Sequence, residues 1–386
     1  MIRKEYLAFG KPNFSEAEID AVTRVLRSGW IGMGPETIAF EEEFAKHVGA
    51  WHAVMVNSGT SALFLSLLVH GVGPGDEVIC PSLTWCSTAN VALYLGAKPV
   101  FCDVDPLTFC VTAEAVAKKL TRRTKAVMVV HMAGLAAEVD GIRAVLPAHV
   151  AIVEDAAHAV GAKFADGRPV GSSGNLACFS FYANKNLATG EGGAIAVADA
   201  QGAERLRSLR LHGLPIDAWK RFSNPAALLL GQLTELGYKM NYTDLQACIG
   251  RVQLRRQDEF HAIRLDVANR YIDRLGDLQP PLRFQDGLRH AYHSRHLFLA
   301  QVPLERMTMS RDELILALRK RNIGASVHYV PLHQMPLYGD AGLERLPHTE
   351  EICRRIVTLP ISASMTRDDA DYVCSNLLEI MRAASR

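Results

Sequence analysis

Short apolar segments alternate with helical patterns between residues 52 and 197 of the chain. Seven of these segments contain few polar residues, as strands do when both faces of their sheet are buried. They are HAVMV (52–56), EVICP (77–81), KPVFCDV (98–104), KAVMVV (125–130), VAIVED (150–155), ACFSFY (177–182) and GAIAV (193–197). Segments of about one helix length separate the earlier ones, and several close at a glycine. The pattern predicts an α/β fold with a mostly parallel seven-stranded sheet covered by helices on both faces.

The pattern changes after residue 242. Residues 243–275 carry apolar side chains at helical spacing, which predicts a long amphipathic stretch. The elements predicted after it are a strand HLFLAQV (296–302), a helix opened by a capping box of Ser310 and Glu313, a strand-like GASVHYV (324–330) and a final helix from about Thr366. We therefore expect a large domain at 1–250 and a smaller C-terminal α+β domain at 251–386.

Composition and charge argue against several classes of protein, including nucleic-acid-binding and membrane proteins. Hydrophobic residues make up 49% of the 386 residues, and 42 basic residues face 41 acidic ones. Such a balance gives no electrostatic reason to bind nucleic acid or a membrane surface. The first residues lack a signal-peptide core, and the longest weakly polar stretch is interrupted by His131 and too short to span a bilayer. We expect a soluble, cytoplasmic protein. Its eight scattered cysteines form no CxxC pair, so we expect no metal site.

Polar and aromatic side chains follow four of the predicted strands. They are Ser58, Gly59 and Thr60 after the first strand, Trp85 after the second, Asp155 and His158 at and beyond the end of the fifth, and Lys185 after the sixth. Each alone has a commoner explanation, such as a helix cap, a core aromatic ring or a surface lysine. However, ligands of open parallel sheets bind outside the carboxyl ends of the strands, where all of these side chains are expected to meet.

One cofactor needs this whole set. Pyridoxal phosphate (PLP) requires a lysine for its Schiff base, a carboxylate beside its pyridine nitrogen, a phosphate cup and a stacking ring. Lys185 supplies the amine, Asp155 the carboxylate and Trp85 the stacking ring. A helix N-terminus at 58–60 supplies the phosphate cup. Lys185 would also move the proton during the reaction. The sequence therefore predicts a PLP enzyme.

The motifs also resemble a known family. SGWIGMGP (28–35), NSGTSAL (57–63), GDEVICPSLTWCST (75–88), GAKPVFCDVD (96–105), VEDAAHAVGA (153–162), FSFYANKNLATGEGGAI (179–195) and GYKMNYTDLQACIG (237–250) occur in order. Together they resemble the DegT/DnrJ/EryC1/StrS family of sugar aminotransferases, a branch of the fold-type I, aspartate aminotransferase-like PLP enzymes. The resemblance covers nearly the whole chain and implies that fold.

The resemblance also implies roles for single residues. Lys185 is the Schiff-base residue, Asp155 the partner of the pyridine nitrogen, and His158 lies close to the ring. Ser180 joins residues 58–60 around the phosphate. Asn241 reaches the phosphate of the neighbouring subunit's cofactor, which implies a homodimer with shared active sites. Some relatives carry histidine in place of the lysine and act as dehydratases, and Lys185 argues against that subclass.

The expected substrate rests on the same resemblance. PSLTW and EDAAHAVG are similar to the 4-amino-4-deoxy-L-arabinose aminotransferases, whereas FYANKNLATGEGG and GASVHYVPLH depart from them. We expect L-glutamate to donate its amino group to a nucleotide-linked keto sugar, at C4, in the biosynthesis of a surface polysaccharide, lipopolysaccharide or glycoside. A diphosphate needs basic or amide groups outside the cofactor's cup; the candidates are Arg210, His212, His328 and His333.

Other functions stay open at this point. The protein could be a PLP-dependent sugar dehydratase, an aminotransferase of a keto sugar without a nucleotide, or a PLP-binding regulatory protein without turnover. The complete set of Lys185, Asp155 and His158 argues against the regulatory protein, which has no need of a proton shuttle. A dinucleotide-dependent oxidoreductase is disfavoured, because the sequence has no GxGxxG and its cluster GVGPGD (71–76) precedes a strand.

Overall fold

The fold was analysed in a computed structural model. It describes residues 2–214, 233, 235–276, 278–279, 281–343 and 345–385. The candidate site residues named above all lie in these ranges.

The larger sheet has seven strands among the described residues. They are β1 (His52–Val56), β2 (Glu77–Pro81), β3 (Lys98–Cys102), β4 (Thr124–Val130), β5 (Ala151–Asp155), β6 (Leu176–Ser180) and β7 (Gly193–Val197). Their order across the sheet is β1-β7-β6-β5-β4-β2-β3. Strand β7 runs antiparallel to both β1 and β6, while the pairs β2–β3, β2–β4, β4–β5 and β5–β6 are parallel. The predicted, mostly parallel seven-stranded sheet is therefore confirmed.

Helices cover this sheet. They are α1 (Glu16–Ser28), α2 (Pro35–His47), α3 (Gly59–Val69), α4 (Ser87–Tyr94), α5 (Ala113–Ala117), α6 (Val139–Val145), α7 (Ala200–Leu209) and α8 (Asp244–Arg255), with a 3₁₀ turn at Met132–Gly134. Helix α3 packs on β6 and β7, and all residues from 61 to 67 are buried. A helix so apolar on every side must be enclosed. Its buried position fixes its N-terminus at the carboxyl ends of the parallel strands.

A second, three-stranded sheet lies in the C-terminal part of the chain. Strands β8 (Arg283–Phe284), β9 (Phe298–Gln301) and β10 (Ile356–Leu359) pair antiparallel in the order β10-β9-β8. The remaining helical elements are α9 (Gln257–Leu275), α10 (Arg311–Arg319), α11 (Pro347–Arg355), α12 (Arg367–Ala383) and 3₁₀ segments at Leu304–Arg306, Leu332–Gln334 and Pro336–Leu343. The capping box of Ser310 and Glu313 is present, and Thr366 caps α12.

Two clusters of buried apolar side chains belong to the large sheet, and a third is built mainly from residues 267–384. One of the two clusters on the large sheet also contains Leu297, Leu299 and Ile356 from the C-terminal part. The domain boundary at 250/251 stays a prediction.

Two sequence expectations differ from the structure. Residues 243–275 form two helices that meet at Arg256, because α8 packs on α1 and α2 whereas α9 packs on α12. The segment 324–330 is not a strand, since only Ser326 pairs with Thr358 and the following side chains line a cavity. No helix in the described ranges is both long and apolar enough to cross a membrane.

Candidate active site

A cavity of about 520 Å³ opens at the carboxyl ends of the central strands. It brings together most of the side chains singled out in the sequence. Those that line it are Ser58, Gly59, Thr60, Trp85, Asp155, His158, Ser180, Lys185 and His328. They come from separate strand ends, so the sheet topology rather than local sequence gathers them.

Lys185 lies in a loop that leaves β6 and returns to β7. Backbone hydrogen bonds from Thr189 N to Phe181 O and from Phe181 N to Gly192 O, each of 2.9 Å, close this loop. The Lys185 side chain is half-buried and faces the cavity. Desolvation lowers the pKa of its amine to about 8, and the charge of Asp155 partly opposes this shift. A substantial neutral fraction therefore exists near pH 8.

Asp155 ends β5 and is buried. Its Oδ2 accepts a hydrogen bond of 2.7 Å from the Thr88 hydroxyl, and its Oδ1 accepts one of 3.2 Å from Ala157 N. Burial raises the pKa of Asp155, and these hydrogen bonds oppose the shift. Within the described ranges no basic side chain forms an ion pair with it. A buried carboxylate in this state is stabilised by a cation placed in the cavity.

The hydrogen bonds of His158 fix its neutral tautomer. Its Nδ1 accepts a hydrogen bond of 3.3 Å from Ala133 N, so the ring proton is on Nε2. That atom lies 3.1 Å from the Tyr329 hydroxyl and donates to it. Burial lowers the pKa of His158 well below its usual value, and the charge of Lys185 adds to the effect. The ring is therefore neutral beside Lys185.

His296 contacts Lys185 directly. The Asn186 amide donates from Nδ2 to Ser294 O at 2.8 Å, which turns its Oδ1 toward His296 Nδ1 at 3.3 Å. His296 therefore carries its proton on Nδ1, and its Nε2 accepts from Lys185 Nζ at 3.4 Å. Burial lowers the pKa of His296 well below its usual value. This neutral ring orients the amine without adding a charge.

Close backbone packing shapes the opposite end of the cavity. Ser58 caps α3, with its Oγ accepting from Ser61 N at 3.1 Å. A Cβ added to Gly59 would lie 2.9 Å from the Ser180 Cβ, and one added to Gly193 would lie 2.7 Å from Gly59 N. Only glycine fits at these two positions. The amides that begin α3 thus face a space suited to a phosphate group.

The open side of the cavity carries aromatic side chains. Trp85 is 60% exposed at this rim, and its ring centroid lies 5.9 Å from that of Tyr329. His328 also lines the cavity, with Nδ1 2.8 Å from the Thr358 hydroxyl. Burial lowers the pKa of His328 to about 4, and Lys185 adds to the shift. Trp85 is in position to stack on a planar ring held in the cavity.

The other predicted site residues lie away from this cavity. Arg210 is buried in an ion pair with Glu41 and donates to Met55 O, and His333 is buried with Nδ1 2.7 Å from the Ser82 hydroxyl. His212 is exposed in a turn with φ 61°. These three side chains do not line the cavity, and their role as substrate ligands stays a prediction. Asn241 donates to Tyr242 O at 3.0 Å and does not line its own chain's cavity.

Sequence reasoning missed Thr88, His296 and Tyr329. Thr88 is the last residue of the motif GDEVICPSLTWCST (75–88). Its position three residues after Trp85, beyond the end of the second strand, could have identified it as a site residue. His296 stands at the start of an apolar strand, where a buried core histidine is the commoner outcome. Tyr329 is 171 residues from His158 in the sequence, so no local pattern connects them.

These residues fit PLP. The buried carboxylate of Asp155 suits a protonated pyridine nitrogen, the amine of Lys185 suits covalent attachment, and the glycine-lined start of α3 suits the phosphate. When bound, PLP supplies an electron sink for the carbanion that forms on the substrate.

Comparisons with known proteins agree with this assignment. A profile of the DegT/DnrJ/EryC1/StrS aminotransferase family matches residues 12–378. The spore coat polysaccharide biosynthesis protein SpsC of Bacillus subtilis is 42% identical over 390 residues, covering 99% of both chains. The aminotransferase TlmJ of Streptoalloteichus hindustanus is similar in structure, with a TM-score of 0.88, 35% identity, and coverage of 98% of this chain and 99% of that chain.

A second solved structure shows the cofactor state. The proposed sugar aminotransferase Spr1654 of Streptococcus pneumoniae, in its PLP form, has a TM-score of 0.89 and 28% identity, covering 98% of this chain and 99% of that chain. The predicted fold class, cofactor and class of enzyme are thus confirmed. The chain belongs to the DegT/DnrJ/EryC1/StrS aminotransferase family and is a PLP-dependent sugar aminotransferase.

Proposed function

We propose that this enzyme transfers the amino group of L-glutamate to C4 of a nucleotide-linked keto sugar, in the cytoplasm, during the biosynthesis of a surface polysaccharide or a related glycoside. The main observation in favour of amino-group transfer is the contact between Lys185 Nζ and the neutral ring of His296, beside a cavity that Lys185 and Asp155 both line. The name of SpsC supports the link to polysaccharide biosynthesis.

Proton transfer is the part of the reaction that this chain's own residues perform. Lys185 Nζ, with a pKa of about 8, can take the proton from the substrate carbon that carries the amino group and later return it. The surrounding histidines are neutral, so they neither repel the lysine's charge nor compete for the proton. Asp155 would keep the pyridine nitrogen of bound PLP protonated.

The size of the cavity supports a substrate that extends beyond it. About 520 Å³ accommodates the cofactor and one sugar ring, within the range of small-molecule sites. A nucleotide attached to that sugar would lie across the rim, where Tyr182 is 47% exposed. An exposed aromatic ring at this place suits the flat face of a base.

We further propose that the functional unit is a homodimer with shared sites. Asn241 accepts a hydrogen bond from Lys239, whose side chain is exposed. Neither side chain lines the chain's own cavity. This placement supports a role for Asn241 in the cofactor site of a neighbouring subunit.

The test is a substrate screen. Purified enzyme is mixed with L-glutamate and with 4-keto sugars linked to different nucleotides, and 2-oxoglutarate is followed together with the aminated product. We expect turnover with one nucleotide-linked 4-keto sugar and none with Lys185→Ala. A dehydrated product without new nitrogen, or faster turnover with a keto sugar lacking a nucleotide, would refute the proposed substrate.

A further inference from the structure

A second cavity, of about 230 Å³, lies behind the loop that carries Lys185. Its lining includes His47, Lys163, Asn186, Asp258, His261 and Arg264. Asn186 separates it from the active-site cavity, because its side chain contacts His296 while its carbonyl oxygen accepts from Gln257 Nε2. None of the residues assigned to PLP lines it.

Arg264 is buried in this cavity without a counter-ion. It is 3% exposed, and its Nη1 donates to the carbonyl oxygens of Arg295 and Ile361 at 3.1 and 3.2 Å. Its Nε has no hydrogen-bond partner. Across the described ranges, no carboxylate forms an ion pair with this guanidinium. A buried charge held only by carbonyl dipoles is costly unless an opposite charge accompanies it.

A second buried guanidinium adds to the positive potential. Arg295 is fully buried, and its Nε donates to Leu288 O at 2.8 Å. Its Nη1 lies 3.3 Å from Nε2 of His261, which itself lines the cavity. Burial lowers the pKa of both arginines to about 10, so both remain protonated at neutral pH.

The opening of the cavity carries one basic and one acidic side chain. Lys163 is exposed there, and Asp258 is the one carboxylate among the described lining residues. Arg264 and Lys163 thus face a single acid, and Arg295 lies behind the lining residue His261. An excess of fixed positive charge around an enclosed polar space is the arrangement found in anion sites.

We propose that this cavity binds an oxyanion of phosphate size. Arg264 would hold it at the floor and Lys163 at the mouth, through charge-assisted hydrogen bonds. The site is separate from the phosphate cup at the start of α3 and does not depend on which sugar the enzyme uses.

Equilibrium dialysis with radiolabelled inorganic phosphate tests the proposal. The enzyme is kept saturated with PLP, so that the cofactor's phosphate cup is occupied, and sodium chloride holds the ionic strength constant. We expect one saturable phosphate site per chain. Lys163→Gln should weaken its affinity about tenfold or more, and Arg264→Gln should abolish binding. Lys320→Gln, which removes an exposed lysine elsewhere, serves as the matched control.

Two results would overturn the proposal. One is the absence of saturable phosphate binding to the wild-type holoenzyme. The other is unchanged affinity in Lys163→Gln relative to Lys320→Gln. If Arg264→Gln does not fold, Lys163→Gln still decides the question, because Lys163 is exposed.

Discussion

The hydroxyl group of Thr88 lies 2.7 Å from Oδ2 of Asp155 and donates a hydrogen bond to it. Thr84 extends this contact, since its hydroxyl lies 2.8 Å from that of Thr88 and must donate to it. The two hydroxyls form a chain from the end of β2 to the carboxylate at the end of β5. The hydrogen bond from Thr88 favours the ionised form of Asp155 and opposes the rise in its pKa that burial causes.

Replacing Thr88 with valine keeps the shape of the side chain and removes that hydrogen bond. A hydrogen bond to a charged group contributes about 1.5–3 kcal/mol, so we expect turnover to fall about 10- to 100-fold. Steady-state kinetics of the holoenzyme measure the loss. Thr84→Val, which removes only the outer hydrogen bond, should lose less. Equal effects of the two variants would show that the bond to Asp155 has no special role.

Asp155→Asn replaces the carboxylate with a neutral amide of the same size. We expect the variant to bind PLP but to transaminate at least ~10²-fold more slowly, because an amide cannot hold the ring nitrogen protonated. Single-turnover reaction with L-glutamate, followed by absorbance, isolates this effect from sugar binding. A variant with a near-normal rate would mean that another carboxylate serves the cofactor.

The amine of Lys185 should react at a lower pH than other lysines of the apoenzyme. Desolvation lowers its pKa to about 8, whereas an unperturbed lysine titrates near ~10.4. Labelling with acetic anhydride across a pH series, read by mass spectrometry, gives both midpoints, with exposed Lys320 as the reference. Since the charge of Asp155 raises the pKa of Lys185, Asp155→Asn should shift its midpoint to a still lower pH. A midpoint shared with Lys320 would contradict this prediction.

Complementation between inactive subunits tests the shared site. Lys185→Ala removes the amine, and Asn241→Asp places a negative charge where the neighbour's phosphate is expected. In a mixed dimer one site collects both lesions and the other is intact, so an equal mixture should recover about a quarter of wild-type activity. Each variant alone should be inactive. A fully active monomer in solution would exclude shared sites.

The sequence predicted the strands of the large sheet and the residues that follow them, because both are local properties of the chain. It could not predict His296 or Tyr329 as neighbours of Lys185 and His158, since tertiary packing brings them in from distant segments. The break at Arg256 was hidden because apolar spacing continues across it. For a similar reason the sequence could not predict the buried ion pair of Arg210. Its partner Glu41 is 169 residues away, and an arginine in isolation gives no sign of such a buried ion pair.

The contact between Gly59 and Ser180 has a consequence for engineering this enzyme. A single added carbon at position 59 or 193 would collide with its surroundings, so we expect substitutions at these two positions to disturb the start of α3. Tyr182 and Glu191 line the same cavity but extend into solvent. Directed evolution toward a different sugar should therefore sample residues 182 and 191, where diversity is tolerated, and leave the glycines unchanged.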